Sequence, residues 1–163
     1  YRDTYQLNTS IARIFSTYGP RMLQQSGRQV PDFIRSAVKN ENVMVAGDEK
    51  SLLSFCYVKD VVEGMISLMA SEISEPINFG SGSPQTLSEV AKKVIEIINS
   101  SSEVKYTQKY AYTMQPAIPD INKAKNELNW FPLVSIDEGL KLAVDYFKGT
   151  AFLHRPTIQS QEE

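Results

Sequence analysis

Apolar residues in this chain recur at helical spacing in some stretches and in short runs in others, with glycine, proline and polar turns between them. Val30, Phe33, Ile34 and Val38 share one face of a helix that starts near Pro31, a residue suited to a first turn, and ends at about Lys39. Val61, Val62, Met65, Ile66 and Met69 predict a second helix with that set as its buried face. Asp60 stands in its first turn, where a carboxylate favours the helix dipole. Thr86-Leu87-Ser88-Glu89 has the pattern of a capping box and opens a helix that buries Leu87, Val90, Ala91, Val94 and Ile98. A short helix is expected from about Asn122 to Leu128. Ser135-Ile136-Asp137-Glu138 is a second capping box, and its helix buries Leu140, Ala143, Val144 and Phe147 and ends at Gly149. Tyr1 to Gln6 reads as the end of a helix with no start signal before it, as expected if the natural protein begins earlier.

The short apolar runs predict strands at residues 8–15, Val43 to Val45, Leu52 to Tyr57, Ile77 to Phe79 and Glu103 to Thr107. Tyr18-Gly19-Pro20 ends the first, Gly47-Asp48 stops the second, and Gly80-Ser81-Gly82 closes the run at Ile77. Met22 to Gly27 and Tyr110 to Pro119 read as loops. Residues 150–163 are polar and aperiodic, the pattern of a disordered tail. Short strands separated by helices indicate an α/β fold with a mixed sheet. In open α/β sheets ligands bind beyond the strands' C-terminal ends, which directs attention to Ser10 through Met22. That first strand would need partners that the chain does not obviously supply.

Composition narrows the chemistry. The chain has 163 residues, 42% hydrophobic, with a net charge of −2. That is enough for one core, and no long basic run favours nucleic acid or an acidic membrane. No segment has the length of a membrane helix. The single cysteine, Cys56, excludes an internal disulfide and fits a reducing, cytoplasmic compartment. His154 is the only histidine and lies in the tail. A Ser/His/Asp or Cys/His pair in the folded part is thereby excluded, and a zinc site of the usual type has no ligands.

Four blocks in order resemble one family. They are Ala12-Arg13-Ile14-Phe15-Ser16-Thr17-Tyr18-Gly19-Pro20-Arg21-Met22, Gly27-Arg28-Gln29-Val30-Pro31-Asp32-Phe33-Ile34, Ser54-Phe55-Cys56-Tyr57-Val58-Lys59-Asp60-Val61-Val62-Glu63-Gly64, and Pro119-Asp120-Ile121 through Leu128-Asn129-Trp130-Phe131-Pro132 with Glu138-Gly139-Leu140. Together they resemble the C-terminal half of extended short-chain dehydrogenase/reductases, the NAD-dependent epimerase/dehydratase family, near the UDP-glucuronate decarboxylases and dTDP-glucose 4,6-dehydratases. The resemblance spans about residues 1–148. It implies the last part of a Rossmann-type sheet joined to a smaller mixed α/β substrate-binding domain, with residues 1–149 as one C-terminal portion. It also implies NAD as cofactor and a nucleotide sugar as substrate in the intact protein. A homodimer is the assembly it suggests, although family members dimerise through helices of the other half.

The family's Gly-x-x-Gly-x-x-Gly loop, which seats a pyrophosphate on a helix N-terminus, has no match here, and no tyrosine has a lysine four positions on. The resemblance therefore implies no catalytic residue in this chain, and no firm hold on NAD by it alone. It assigns Thr17 and Arg28 to the cofactor side, and Tyr1, Ser16, Arg21, Phe33, Ala46, Leu53 and Ala117 to the substrate side. Several of these depart from the family. Ser16 replaces an asparagine, Ala46 an aromatic residue, and Leu53 and Ala117 two arginines that hold the diphosphate. Two lost arginine contacts at roughly 1.5–3 kcal/mol each weaken binding by about 10²–10⁴-fold.

Each residue also has a plainer reading. Arg13 is expected as a buried arginine paired with a carboxylate, Tyr18 as packing at the strand–loop junction, and Asp60 as a helix-start residue. Arg28 stands between a solvated loop charge and a cofactor contact. Trp130 is expected to pack between the final helices, and Cys56 to behave as a small hydrophobe.

Overall fold

A computed structural model describes residues 1–23, 27–47, 50, 52–107 and 117–151, with the side chains of the last two left aside. The elements follow in the order α1 (Arg2–Tyr5), β1 (Ala12–Ile14), β2 (Thr17–Tyr18), α2 (Gln29–Val38), β3 (Val43–Ala46), β4 (Leu52–Ser54), β5 (Cys56–Tyr57), α3 (Val58–Met69), β6 (Ile77–Phe79), β7 (Pro84–Thr86), α4 (Leu87–Ile98), β8 (Val104–Thr107), α5 (Asn122–Leu128) and α6 (Ile136–Ala151). The pairings β1 with β6, β2 with β5 and β3 with β8 are parallel, and β4 with β7 is antiparallel. This is the expected α/β fold with a mixed strand arrangement.

Two expected strands are each divided. The run from Leu52 to Tyr57 changes partner at Phe55, so β4 pairs antiparallel with β7 while β5 runs parallel to β2. The first strand keeps only Ala12–Ile14 of residues 8–15 and resumes as Thr17–Tyr18. Strand β7 has no counterpart in the apolar pattern, because its Pro84-Gln85-Thr86 carries no hydrophobic side chain beyond the proline ring. It forms because Leu53 lies opposite Gln85, and because the Ser54 hydroxyl donates to the Ser81 carbonyl (2.8 Å) and accepts the Ser81 N–H (2.9 Å).

The core divides in two. The larger part joins α2, α4 and α6 to β3 through Phe33, Ile34, Val45, Val90, Val94, Leu140 and Val144. Here the periodicity gave the buried faces, except that Val38, at the last turn of α2, is exposed because the helix ends there and its side chain passes beyond the core. The smaller part sets α3 and α5 against β6 through Val61, Leu68, Ile77, Phe79, Ala124 and Trp130. For α3 the expected face is wrong in most positions. Val61 is buried, as are Asp60, Gly64 and Leu68, while Val62, Met65, Ile66 and Met69 are exposed. Gly64 allows that side to approach, since a Cβ there would stand 2.8 Å from the Trp130 indole nitrogen.

The capping box at Thr86 is complete: Glu89 N–H donates to Thr86 Oγ1 (3.1 Å), and Thr86 N–H donates to the Glu89 carboxylate (2.7 Å). At Ser135 the hydroxyl oxygen accepts the Glu138 N–H at 3.2 Å. Helix α6 does not stop at Gly149 but continues to Ala151. The rest of the expected tail, 152–163, and most of the loop expected at Tyr110 to Pro119 lie outside the described residues.

Candidate functional site

The strand ends near Ser16 bring Thr17 and the β4–β5 segment that carries Leu53 together, while Ala46 and Ala117 lie on other segments. Ser16 is half-buried, and its carbonyl accepts the Cys56 N–H at 2.9 Å. Thr17 lies beside Cys56 in the β2–β5 pair, and its hydroxyl donates to the Phe15 carbonyl at 2.9 Å. Leu53, three positions before Cys56, packs half-buried on the larger core. Ala46 is half-buried at the end of β3, opposite Thr107 of β8. Ala117 is exposed.

The remaining expected residues are dispersed by their roles. Phe33 is 2% exposed in the core face of α2, so its ring is committed to packing rather than presented to a substrate. Arg21 is exposed in a left-handed turn at φ 66°. Arg28 precedes α2, exposed, and its carbonyl accepts the Asp32 N–H at 3.3 Å. Tyr1 is exposed and stacks on Tyr5 with ring centroids 5.5 Å apart. Arg13 overturns its expectation. It lies exposed in β1 and joins no ion pair among the described residues, because the sheet face it occupies is left uncovered there.

Beneath the strand ends is a buried polar knot that sequence reasoning only half saw. Tyr18 packs edge-on against Tyr57 (5.8 Å) and Phe55 (6.5 Å), and its hydroxyl reaches toward the Ile136 carbonyl at 3.4 Å. Burial, and then the neighbouring Cys56, Tyr57, Asp60 and Asp137, holds its phenol far above the usual range. Burial, reinforced by Asp60, pushes the Cys56 thiol up to about 12, the inert small hydrophobe expected of it. Asp60 is 3% exposed and does more than start a helix. Its carboxylate accepts the Val134 N–H at 3.0 Å and its carbonyl accepts the Trp130 indole N–H at 2.8 Å. Trp130 therefore packs on Phe79 of β6 and the start of α3, with ring centroids 4.9 Å apart, and not between the last helices. The repeated 3.6-residue pattern cannot reveal such a tie, because both partners are single residues far apart in the chain.

A cleft of about 610 Å³ opens beside this knot, between the Ser81–Ser83 turn with Gln85 and the segment Phe131–Ile136. None of the expected contact residues lines it. Lys125 is its charged member, and Ser81, Ser83, Gln85 and Ser135 give its polar edge. The turn at Gly80-Ser81-Gly82 and the quoted blocks holding Phe55, Ile121 and Phe131-Pro132 meet here, although none of them was singled out as a ligand contact.

The arrangement defines a class. It is an α/β arrangement of three parallel strand pairs and one antiparallel pair packed with helices, and no group of three or more His, Cys, Asp or Glu that could hold a metal occurs among the described residues. The model of the GDP-mannose 4,6-dehydratase family matches residues 1–143, and the chain belongs to that family. It is 39% identical to UDP-glucuronic acid decarboxylase 5 of Arabidopsis thaliana over 155 residues, which is 95% of this chain and 46% of that protein. Among solved structures, the UDP-glucose 4-epimerase of Thermotoga maritima with UDP-glucose matches at a TM-score of 0.86 and 32% identity, over 92% of this chain and 49% of that one. WbmF of Bordetella bronchiseptica, in complex with NADH, matches at 0.81 and 26%, over 93% and 49%. The chain thus spans about half the length of the proteins it matches.

Proposed function

We propose that this chain is the substrate-domain half of an NAD-dependent nucleotide-sugar epimerase, dehydratase or decarboxylase, and that by itself it neither holds NAD firmly nor catalyses. Its similarity to about half of a UDP-glucuronic acid decarboxylase is the observation that carries the reading. The chain has no Gly-x-x-Gly-x-x-Gly loop and no Tyr-x-x-x-Lys pair, so the cradle for a pyrophosphate and the acid/base tyrosine must come from elsewhere. Of the two residues assigned to the cofactor side, Thr17 spends its hydroxyl on the Phe15 carbonyl, which leaves Arg28. The intact protein would then use NAD to oxidise a sugar, and this half would hold the nucleotide.

A second reading follows from Ser16, Ala46, Leu53 and Ala117. All four replacements fall on positions the family resemblance assigns to ligand, while the larger core, against which Leu53 packs, is retained. On that reading the domain binds or scaffolds without catalysis, or serves an enzyme whose sugar carries no diphosphate. Calorimetry separates them: UDP-, dTDP-, GDP- and CDP-sugars are titrated against this chain and against the product of its complete reading frame. The first reading expects micromolar binding of at least one nucleotide sugar by the complete product, which would overturn the scaffolding reading. Absence of binding and of NAD-dependent turnover by the complete product would overturn the first. Absence of binding by the complete product, with reduction of NAD by a simpler sugar, would favour an enzyme without a diphosphate substrate.

A further inference from the structure

We infer that Asp60 is a positioning residue: by tying Trp130 and Val134 it fixes the angle between the two cores, and with it the width of the cleft that lies between them. The cores meet at β5. Phe55 and Tyr57 face the larger one, and Cys56, between them, faces the smaller. Asp60 stands three residues beyond that strand, and among the described residues it is the one charged side chain that is buried. Its two bonds divide between the cores. The Asp60 carbonyl accepts the indole N–H of Trp130 (2.8 Å), whose ring packs in the smaller core. The carboxylate accepts the N–H of Val134 (3.0 Å), which packs against the larger one.

The energetics point to positioning rather than stability. A buried carboxylate gives up its hydration, and one amide N–H returns only part of that loss. An apolar side chain of similar volume in such a place commonly leaves stability unchanged or higher, and what the charge supplies is one arrangement out of several. Here the alternatives are angles between the cores. The chain passes from one to the other at Ser16, where the Ser16 carbonyl accepts the Cys56 N–H at 2.9 Å. It passes again at the Ser81–Ser83 turn, held by the two bonds to the Ser54 hydroxyl. The third passage, Phe131 to Leu133, has no hydrogen bond of its own among the described residues, and Asp60 holds it at both ends. That passage is one wall of the 610 Å³ cleft, which also takes Ile121 from the smaller core and Phe55 from the larger. A change of angle therefore opens or closes the cleft, and it moves Ser16 at the first passage.

The test places two spin labels on the full chain, at Met69→Cys in α3 and Leu142→Cys in α6, both exposed positions, while the buried Cys56 stays unlabelled. Double electron–electron resonance is expected to give one narrow distance distribution. Asp60→Leu fills the space but offers no side-chain acceptor, and is expected to double the width of the distribution or displace its centre, with helix content by circular dichroism unchanged. Asp60→Asn keeps an oxygen acceptor and is expected to retain the parent distribution. Trp130→Phe keeps a ring, cuts the other bond, and is expected to broaden the distribution as well. An unchanged distribution in Asp60→Leu, an Asp60→Asn variant as broad as Asp60→Leu, or failure of both Asp60→Leu and Trp130→Phe to fold would overturn the inference. The consequence for ligand rests on the function proposed above. In the product of the complete reading frame, Asp60→Leu is expected to weaken nucleotide-sugar binding at least tenfold while NAD affinity stays within twofold, and unchanged nucleotide-sugar affinity would overturn that consequence. Absence of nucleotide-sugar binding by the unaltered product would remove the functional reading, and the label distances would still decide the role of Asp60.

Discussion

Gly139→Ala probes the contact that locks α6 onto the strand ends. A Cβ built at Gly139 stands 2.9 Å from Tyr18 Cζ and 3.1 Å from Tyr57 Cδ2, with the Tyr18 hydroxyl nearer still. Tyr18 has little room to retreat, since it is 2% exposed and wedged edge-on between Phe55 and Tyr57. Overpacking of this kind costs about 1–3 kcal/mol. Alanine in place of glycine inside a helix returns about 1 kcal/mol. The net expectation is a loss of about 0–2 kcal/mol. Gly149 gives the control in the same helix, because among the described residues no atom outside its own helix backbone lies within 4 Å of its Cβ position, and Gly149→Ala is expected to stabilise by up to about 1 kcal/mol. Tyr18→Phe removes the crowding hydroxyl and forfeits only a long 3.4 Å contact to the Ile136 carbonyl. In the double variant the two losses should therefore be less than additive, by about 1 kcal/mol. Urea unfolding followed by circular dichroism, at constant slope, reads all four proteins. Stabilisation by Gly139→Ala equal to that by Gly149→Ala, or strict additivity with Tyr18→Phe, would refute the reasoning.

Two further outcomes follow from the local chemistry. Thr86→Ala removes the acceptor of the Glu89 N–H and one donor to the Glu89 carboxylate, and is expected to cost about 1 kcal/mol, largely restored by Thr86→Ser, in the same unfolding assay. In alkali, Cys56 is held neutral up to about 12 in the folded protein against an ordinary 9.0. Between those values the folded state binds more protons than the unfolded one, so its contribution is whole below pH 9 and is lost as pH rises toward 12. Tyr18 acts in the same direction. Stability measured by urea unfolding from pH 8 upward should fall, and Cys56→Ala should fall less steeply; an unchanged slope would contradict the assigned cause.

The family was legible before any coordinates. The blocks around Arg13–Met22, Ser54–Asp60 and Pro119–Pro132 marked the family, and the missing glycine loop and Tyr-x-x-x-Lys marked what the chain does not carry. The replacements at Leu53 and Ala117 were visible in the same way. What the blocks did not reveal was which of these side chains face a ligand. Phe33 falls inside a motif, yet its ring lies in the core because α2 turns that face toward β3 and α4. The cleft beside Ser81 and Phe131 is lined by segments some fifty residues apart in sequence, which no local pattern joins.

The sequence by itself determined the helices α2, α4 and α6 with most of their apolar faces, the capping box at Thr86 and the hydroxyl cap at Ser135. Local spacing and a hydrogen bond within three residues are enough for those features. Only the tertiary structure decided which half of the wide apolar arc of α3 is buried, since periodicity reports that an arc exists and not what lies against it. It alone decided the change of partner at Phe55, because alternation does not say which strand will supply the hydrogen bonds. It also turned Asp60 from a helix-start residue into the tie between Trp130 and Val134, a role fixed by distances across the fold and by nothing in the neighbouring sequence.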